Sequence, residues 1–222
     1  MIRLHFLVEG ATERTFVDEV LKPELSRLNI FPDACCVQTG RKHGKVHKGG
    51  IINYLKLKKD LQRWLKQDKH QEARFTTMVD FYALPNDFPG YEKSQKQTGS
   101  QKRIEILEGH FQADIGDSRF IPYIQQHEFE ALLFSEPTQF ATVYPDKESE
   151  ILKLVAMRSE FLSPEDINEN FAPSKRIAAI FPDYVKFKPT VGPLVAIEIG
   201  LAKIRAENPH FDEWLRKLEQ LT

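Results

Sequence analysis

Arg3-Leu4-His5-Phe6-Leu7-Val8-Glu9-Gly10-Ala11-Thr12-Glu13 is the stretch that decides the reading of this chain. Its apolar run reads as a buried strand, Gly10 as the tight turn that ends it, and Thr12 as the cap of the helix that follows. Glu9 therefore falls at the carboxyl end of a strand, where open α/β sheets gather their ligands. Glu13, four residues on, lies where the helix dipole favours negative charge and where its side chain can reach back toward Glu9. Two carboxylates converge, unless Glu9 is a solvated strand-end acid and Glu13 only a helix-start acid.

Working outward, Phe16, Val17, Val20, Leu21, Leu25 and Leu28 recur at helical spacing, and Pro23 predicts a kink or break near Lys22. Ile30 to Thr39, with Ala34-Cys35-Cys36-Val37 inside it, reads as a second strand. Strand, helix, strand is the unit of a parallel sheet. The segment 40–50 follows, a glycine-rich loop carrying Arg41, Lys42, His43, Lys45, His47 and Lys48. No Gly-x-x-x-x-Gly-Lys-Ser/Thr can be drawn through it, which excludes a P-loop NTPase. His43 and His47 stand four apart but are flanked by glycines, so they read as loop histidines suited to phosphate contact rather than as metal ligands.

Ile51 to about Lys69 is an amphipathic helix, with Ile51, Ile52, Leu55, Leu61 and Leu65 inward and Lys56, Lys58, Lys59, Arg63 and Lys66 largely outward. The third strand, Arg74 to Asp80, ends like the first in an acid. Ile104, Leu107, Glu108 and Phe111 mark a further helix, after an exposed polar segment from Tyr91 to Gln101. A fourth strand, Arg119 to Ile124, leads into His127-Glu128-Phe129-Glu130-Ala131-Leu132-Leu133-Phe134. Glu128 and Glu130 there are hard oxygen donors for a divalent cation or ordinary first-turn acids, and His127 stands behind them or on substrate. Beyond Ser135 the pattern is helical: Glu148 to Met157, Ser174 to Phe181, Pro193 to Ala206 and Pro209 to Leu221, with a turn at Ser163-Pro164-Glu165-Asp166 and Trp214 as core. Lys175 opens one helix and Lys186, Lys188 and Gly192 lie in the next connection; Lys175 and Lys186 are candidates for stabilising charge on a phosphate if they face the acidic crevice, and surface bases otherwise.

At 222 residues and 41% apolar, the chain has the size of one domain, a core over 1–135 and a helical section over 136–222. Two adjacent cysteines make no disulfide framework and predict a reducing, cytoplasmic setting. No leader peptide and no 18-residue apolar run is visible, so no membrane partner is expected. A net charge of -1 conceals an asymmetry, since 41–74 holds eleven Lys or Arg against three Asp or Glu. That block is either a solvated helix face or a surface for nucleic-acid phosphates, carried by Arg41, Lys42, Lys45, Lys48, Lys56, Lys59 and Arg63.

Strand-Glu-Gly-x-Thr-Glu-helix resembles the opening of the Toprim fold in the overcoming-lysogenization-defect nucleases. More closely, the chain is similar to a family of small Toprim-like bacterial proteins of unknown function. The matching words are Leu7 to Glu13, Met78-Val79-Asp80-Phe81-Tyr82, His127 to Phe134, Pro173-Ser174-Lys175-Arg176-Ile177 and Pro209-His210-Phe211. The resemblance implies an α/β, Toprim-like, mainly parallel four-stranded sheet flanked by helices, with a helical carboxyl-terminal section. It also implies Mg²⁺ or Mn²⁺ on Glu9, Asp80 and one or both of Glu128 and Glu130, with Glu13 beside them. The pattern departs at Tyr82, where the superfamily usually has a second aspartate; Asp87 either replaces that ligand or only shapes its turn. The expected activity is metal-dependent phosphodiester hydrolysis of DNA or RNA in phage defence. The alternatives are a regulatory subunit beside a separately encoded ATPase and a nucleotide hydrolase, and homo-oligomerisation is left open.

Overall fold

The computed structural model describes residues 1–42, 45–48, 53–167 and 171–221, without the side chains of 38–48 and 83. Strand β1 (Ile2–Val8) leads through Glu9 and Gly10 into α1 (Ala11–Phe16), a π-helical stretch (Val17–Leu21) and α2 (Lys22–Arg27). Proline has no N–H for the Glu19 carbonyl and its ring crowds that position. The wider turn, in which the Lys22 N–H reaches the Val17 carbonyl, carries the helix past Pro23 without the expected break.

Strand β2 (Ile30–Cys36) continues into β3 (Gln38–Lys42) and β4 (Lys45–Lys48), which pair antiparallel. Within the segment expected to be a loop, the described residues thus pair as strands, with Gly40 at the shift in register, a place where glycine suits a bulge. His43 lies outside the described residues, as do the side chains of Arg41, Lys42, Lys45, His47 and Lys48. Helix α3 (Tyr54–Gln67) starts where the Asn53 side chain accepts the Lys56 N–H. Its buried stripe is Tyr54, Leu57, Leu61 and Leu65. Leu55, expected inward, is exposed because it lies six residues from Leu61, on the far side of the helix; Ile51 and Ile52 lie outside the described residues.

Strand β5 (Ala73–Asp80) is followed by the single turn α4 (Tyr91–Ser94) and by α5 (Ser100–Ile115). The expected fourth strand is broken into β6 (Phe120–Ile121) and β7 (Ile124–Gln125), both parallel to β5. Pro122 has no N–H for the ladder. Thr77 bridges the gap, its hydroxyl donating to the Tyr123 carbonyl at 2.9 Å and accepting the Tyr123 N–H at 3.1 Å. The order is β2-β1-β5-β6, with β7 also on β5 and all pairs of this sheet parallel, the parallel α/β architecture expected.

The remaining elements are α6 (Glu148–Ser159), α7 (Pro173–Ile180), α8 (Tyr184–Ile199), α9 (Leu201–Glu207) and α10 (Pro209–Glu219). Period-two alternation in β1 sends Leu4, Phe6 and Val8 to a core shared with α1 and the carboxyl-terminal helices, and Leu7 to a second core under α3 and α5. Trp214 of α10 is core as expected, stacked 4.0 Å from the Tyr123 ring and donating to the Thr76 hydroxyl. Among the described residues no helix is long and apolar enough to cross a membrane.

Thr77→Val keeps the shape of a fully buried residue but strands the N–H and C=O of Tyr123. It is expected to lower unfolding free energy by about 1–3 kcal/mol in urea titrations; an unchanged midpoint would mean that the break needs no side-chain bridge.

Candidate functional site

Adjacent parallel strands bring the first two acids together. Glu9 leaves β1, Asp80 closes β5, and Glu9 Oε2 accepts the Asp80 main-chain N–H at 3.1 Å. The helix cap is Gly10 rather than Thr12. Glu13 Oε2 accepts the Gly10 N–H at 2.8 Å, and a Cβ at position 10 would stand 3.2 Å from that oxygen, so a side chain there would crowd the acid. Glu13 does reach back, and it ends beside Glu9.

The third contribution comes from the arm beyond β7. Asp80 pairs with Gln125, and two residues later His127 takes a left-handed backbone, φ 62, uncommon for a residue with a Cβ. The chain thereby turns so that the Phe129 N–H reaches Asp80 Oδ1 at 3.1 Å, and a 3₁₀ helix follows over Phe129–Ser135. Glu128 accepts the Ser174 N–H at the start of α7. Glu130 is fully buried: Tyr184 donates to its Oε1 at 2.9 Å and Lys188 Nζ lies 3.0 Å from the same atom. Its Oε2 is buried and meets no hydrogen-bond partner among the described residues.

The cation on the acids is thus Lys188, and not Lys175 or Lys186, which are both exposed, Lys186 over the Phe187 ring at 5.2 Å. Lys186, Lys188 and Gly192 belong to α8 and not to a connection, because α8 runs from Tyr184 through Pro189 and Pro193. The two prolines disguise a stripe that the spacing did carry: Tyr184, Lys188 and Gly192 recur every four residues. At Gly192 an added Cβ would stand 3.1 Å from the Phe129 ring and 3.4 Å from the Thr12 methyl, so glycine lets α8 approach both α1 and the arm.

Burial raises the pKa of Glu9, Glu13 and Asp80; neighbouring acids raise it further, while Lys188 and backbone N–H groups act against this. Burial also pushes Glu130 up to about 7, with Lys188 and Tyr184 opposing. For Lys188, burial alone would lower the pKa, but Glu130, Asp80 and Glu128 together outweigh it and keep the ammonium charged.

Among the described residues no three His, Cys, Asp or Glu side chains already stand as a group that holds a metal ion. The donor chemistry nevertheless fits Mg²⁺ or Mn²⁺: among the described residues hard carboxylate oxygens outnumber the lysine beside them, and Glu130 Oε2 is a buried acceptor with no donor. Other candidates have structural partners. Asp87 accepts the Tyr54 N–H at the start of α3, a bond to a distant helix rather than within its own turn. His127, 2% exposed, is bonded to the Glu165 carbonyl. Tyr82 packs its ring 5.2 Å from that of His127. On α3, Lys58 is held by Asp114 at 2.8 Å, Arg63 is exposed and 3.5 Å from Asp60, Lys59 is exposed and Lys56 half-buried.

Between about pH 4.5, where an unfolded glutamate titrates, and pH 7, folded Glu130 keeps a proton that the unfolded chain has lost. Stability of the metal-free protein should therefore fall as pH rises through this window, by on the order of 3 kcal/mol from Glu130, and level off above it. Urea titrations from pH 5 to 8 measure this, with Glu130→Gln removing that part of the slope; a flat wild-type profile would contradict the buried acid.

No curated protein matches this chain. Among solved structures, the C-terminal region of the Burkholderia pseudomallei OLD protein is similar at 13% identity over 99% of each chain, with a TM-score of 0.47. The C-terminal region of the Xanthomonas campestris pv. campestris OLD protein is similar at 18% identity over 97% of this chain and 95% of that chain, with a TM-score of 0.42. The family described as "Domain of unknown function (DUF4276)" matches residues 8–219, and the chain belongs to it.

Proposed function

We propose that the chain is a divalent-cation-dependent phosphodiesterase acting on nucleic acid. One observation carries this reading: Glu9, Glu13, Asp80 and Glu130, from three separate segments, converge at the carboxyl ends of β1 and β5 around the ammonium of Lys188. Acids massed in this way exceed what folding needs and suit a cation. Glu9, Asp80 and Glu130 would hold Mg²⁺ or Mn²⁺, with Glu13 and Glu128 beside them. The cation supplies Lewis acidity at the phosphate and lowers the pKa of a water.

The chain's own groups supply the rest. Lys188 offers a fixed positive charge for the negative charge that develops on phosphoryl oxygens. Tyr184 fixes the orientation of Glu130 through its hydroxyl, and Asp80 anchors the arm at Phe129. Lys56, Lys59 and Arg63 on α3, with Arg41, Lys42, Lys45 and Lys48 of β3 and β4, would meet the nucleic-acid backbone; Lys58, paired with Asp114, is not counted among them. The family resemblance supports a bacterial defence setting in the cytoplasm.

Tyr82 favours a second reading, a regulatory subunit beside an ATPase, because it stands where the superfamily's second aspartate would be and packs against His127. Labelled DNA, RNA and tRNA incubated with Mg²⁺ or Mn²⁺ separate the two. Wild-type protein should cleave at least one of them, and Glu9→Gln, Asp80→Asn and Lys188→Met should each lose about 100-fold or more while staying folded. Wild-type inactivity on every substrate, alone and with its ATPase, would transfer the conclusion to the regulatory reading.

A further inference from the structure

The arm that carries Glu128 and Glu130 is clamped at two points by residues remote in sequence. At its start, the Ile124 N–H donates to Glu108 Oε1 at 2.8 Å. At its bend, Gln126 Nε2 at 2.5 Å and His127 Nε2 at 2.8 Å both meet the main-chain carbonyl of Glu165. A carbonyl can only accept, so His127 carries its proton on Nε2.

The two clamps are joined. The Glu165 carboxylate, 6% exposed, accepts the N–H groups of His210 and Phe211, each at 3.0 Å, and so caps α10 from outside the helix. The His210 ring then reaches Glu108, with Nε2 3.2 Å from Oε1. Glu165, His210 and Glu108 close a circuit around the residues preceding Glu128. A left-handed residue such as His127 persists only where its surroundings over-determine it, and this circuit provides the determination.

We infer that Glu165, His210 and Glu108 are positioning residues for the acid site, acting through the arm and tying its geometry to the docking of α10. The inference rests on the proposed cation chemistry for its functional consequence. Its structural half stands apart from that chemistry.

The test uses the full chain with Glu165→Ala and Glu165→Gln, and with Glu108→Leu, which removes the acceptor of the Ile124 N–H, should the alanine protein not fold. Hydrogen exchange at the Tyr82 and Phe129 amides reports the arm directly, since these N–H groups bond to the His127 carbonyl and to Asp80. Mn²⁺ titration followed by electron paramagnetic resonance reports the site without any turnover. Glu165→Ala, or Glu108→Leu in its place, should speed exchange at both amides and weaken Mn²⁺ binding, each by at least about tenfold, with β1 amides unchanged. Glu165→Gln, whose one amide oxygen still accepts one of the two α10 N–H groups, should restore both in part. Unchanged exchange at the arm, or a loosened arm with undiminished Mn²⁺ affinity, would overturn the inference. A loosened arm in a protein whose wild type takes up no Mn²⁺ would uphold the positioning and defeat the cation reading instead.

Discussion

Several carboxylates taken out of water around one lysine form the interaction on which the rest of this structure depends. Each buried ion costs several kcal/mol in desolvation, and a single ion pair does not offset that for a whole group of acids. The raised pKa values of Glu9, Glu13, Asp80 and Glu130 are the visible result. Folding alone would be better served by apolar residues here. Retaining acids at the junction of two parallel strands, a helix start and a bent arm makes sense when a cation takes their charge.

The scaffold is arranged to make that junction reproducible. Parallel pairing of β1 with β5 fixes Glu9 against the Asp80 N–H, and Gly10 lets Glu13 fold back without a clash. The arm is turned by the unusual backbone of His127 and pinned by Asp80 at Phe129. Helix α8 brings Lys188 and Tyr184 to Glu130 because Gly192 permits close packing on Phe129 and Thr12. Backbone, packing and charge therefore specify the same point, the consistency expected where a site is built into a fold. Tyr82, beside His127, belongs to the support of the bend.

Much of this was legible in the sequence, for local reasons. Glu9 and Asp80 each end an apolar run, so strand periodicity alone put them at strand ends, and the word around Glu128 and Glu130 stood out by its charge before an apolar stretch. What was hidden depends on distant partners. Lys188 was obscured because Pro189 and Pro193 read as helix breakers, although the four-residue stripe from Tyr184 to Gly192 was present. The division of the last strand around Pro122 depends on Thr77, forty-six residues away. Glu165 looked like a turn acid because its role lies in α10 and in the carbonyl it offers to the arm. The pairing of β3 with β4 was masked by glycine content, which predicts a loop when pairing is not considered.

The central claim is that these acids form a cation site, and diffraction at the manganese absorption edge from crystals grown with Mn²⁺ tests it most directly. The account predicts an anomalous peak within bonding distance of carboxylate oxygens from Glu9, Asp80 and Glu130, lost in Glu9→Gln crystals. Fully occupied Mn²⁺ elsewhere on the molecule, with no peak among these acids, would contradict it.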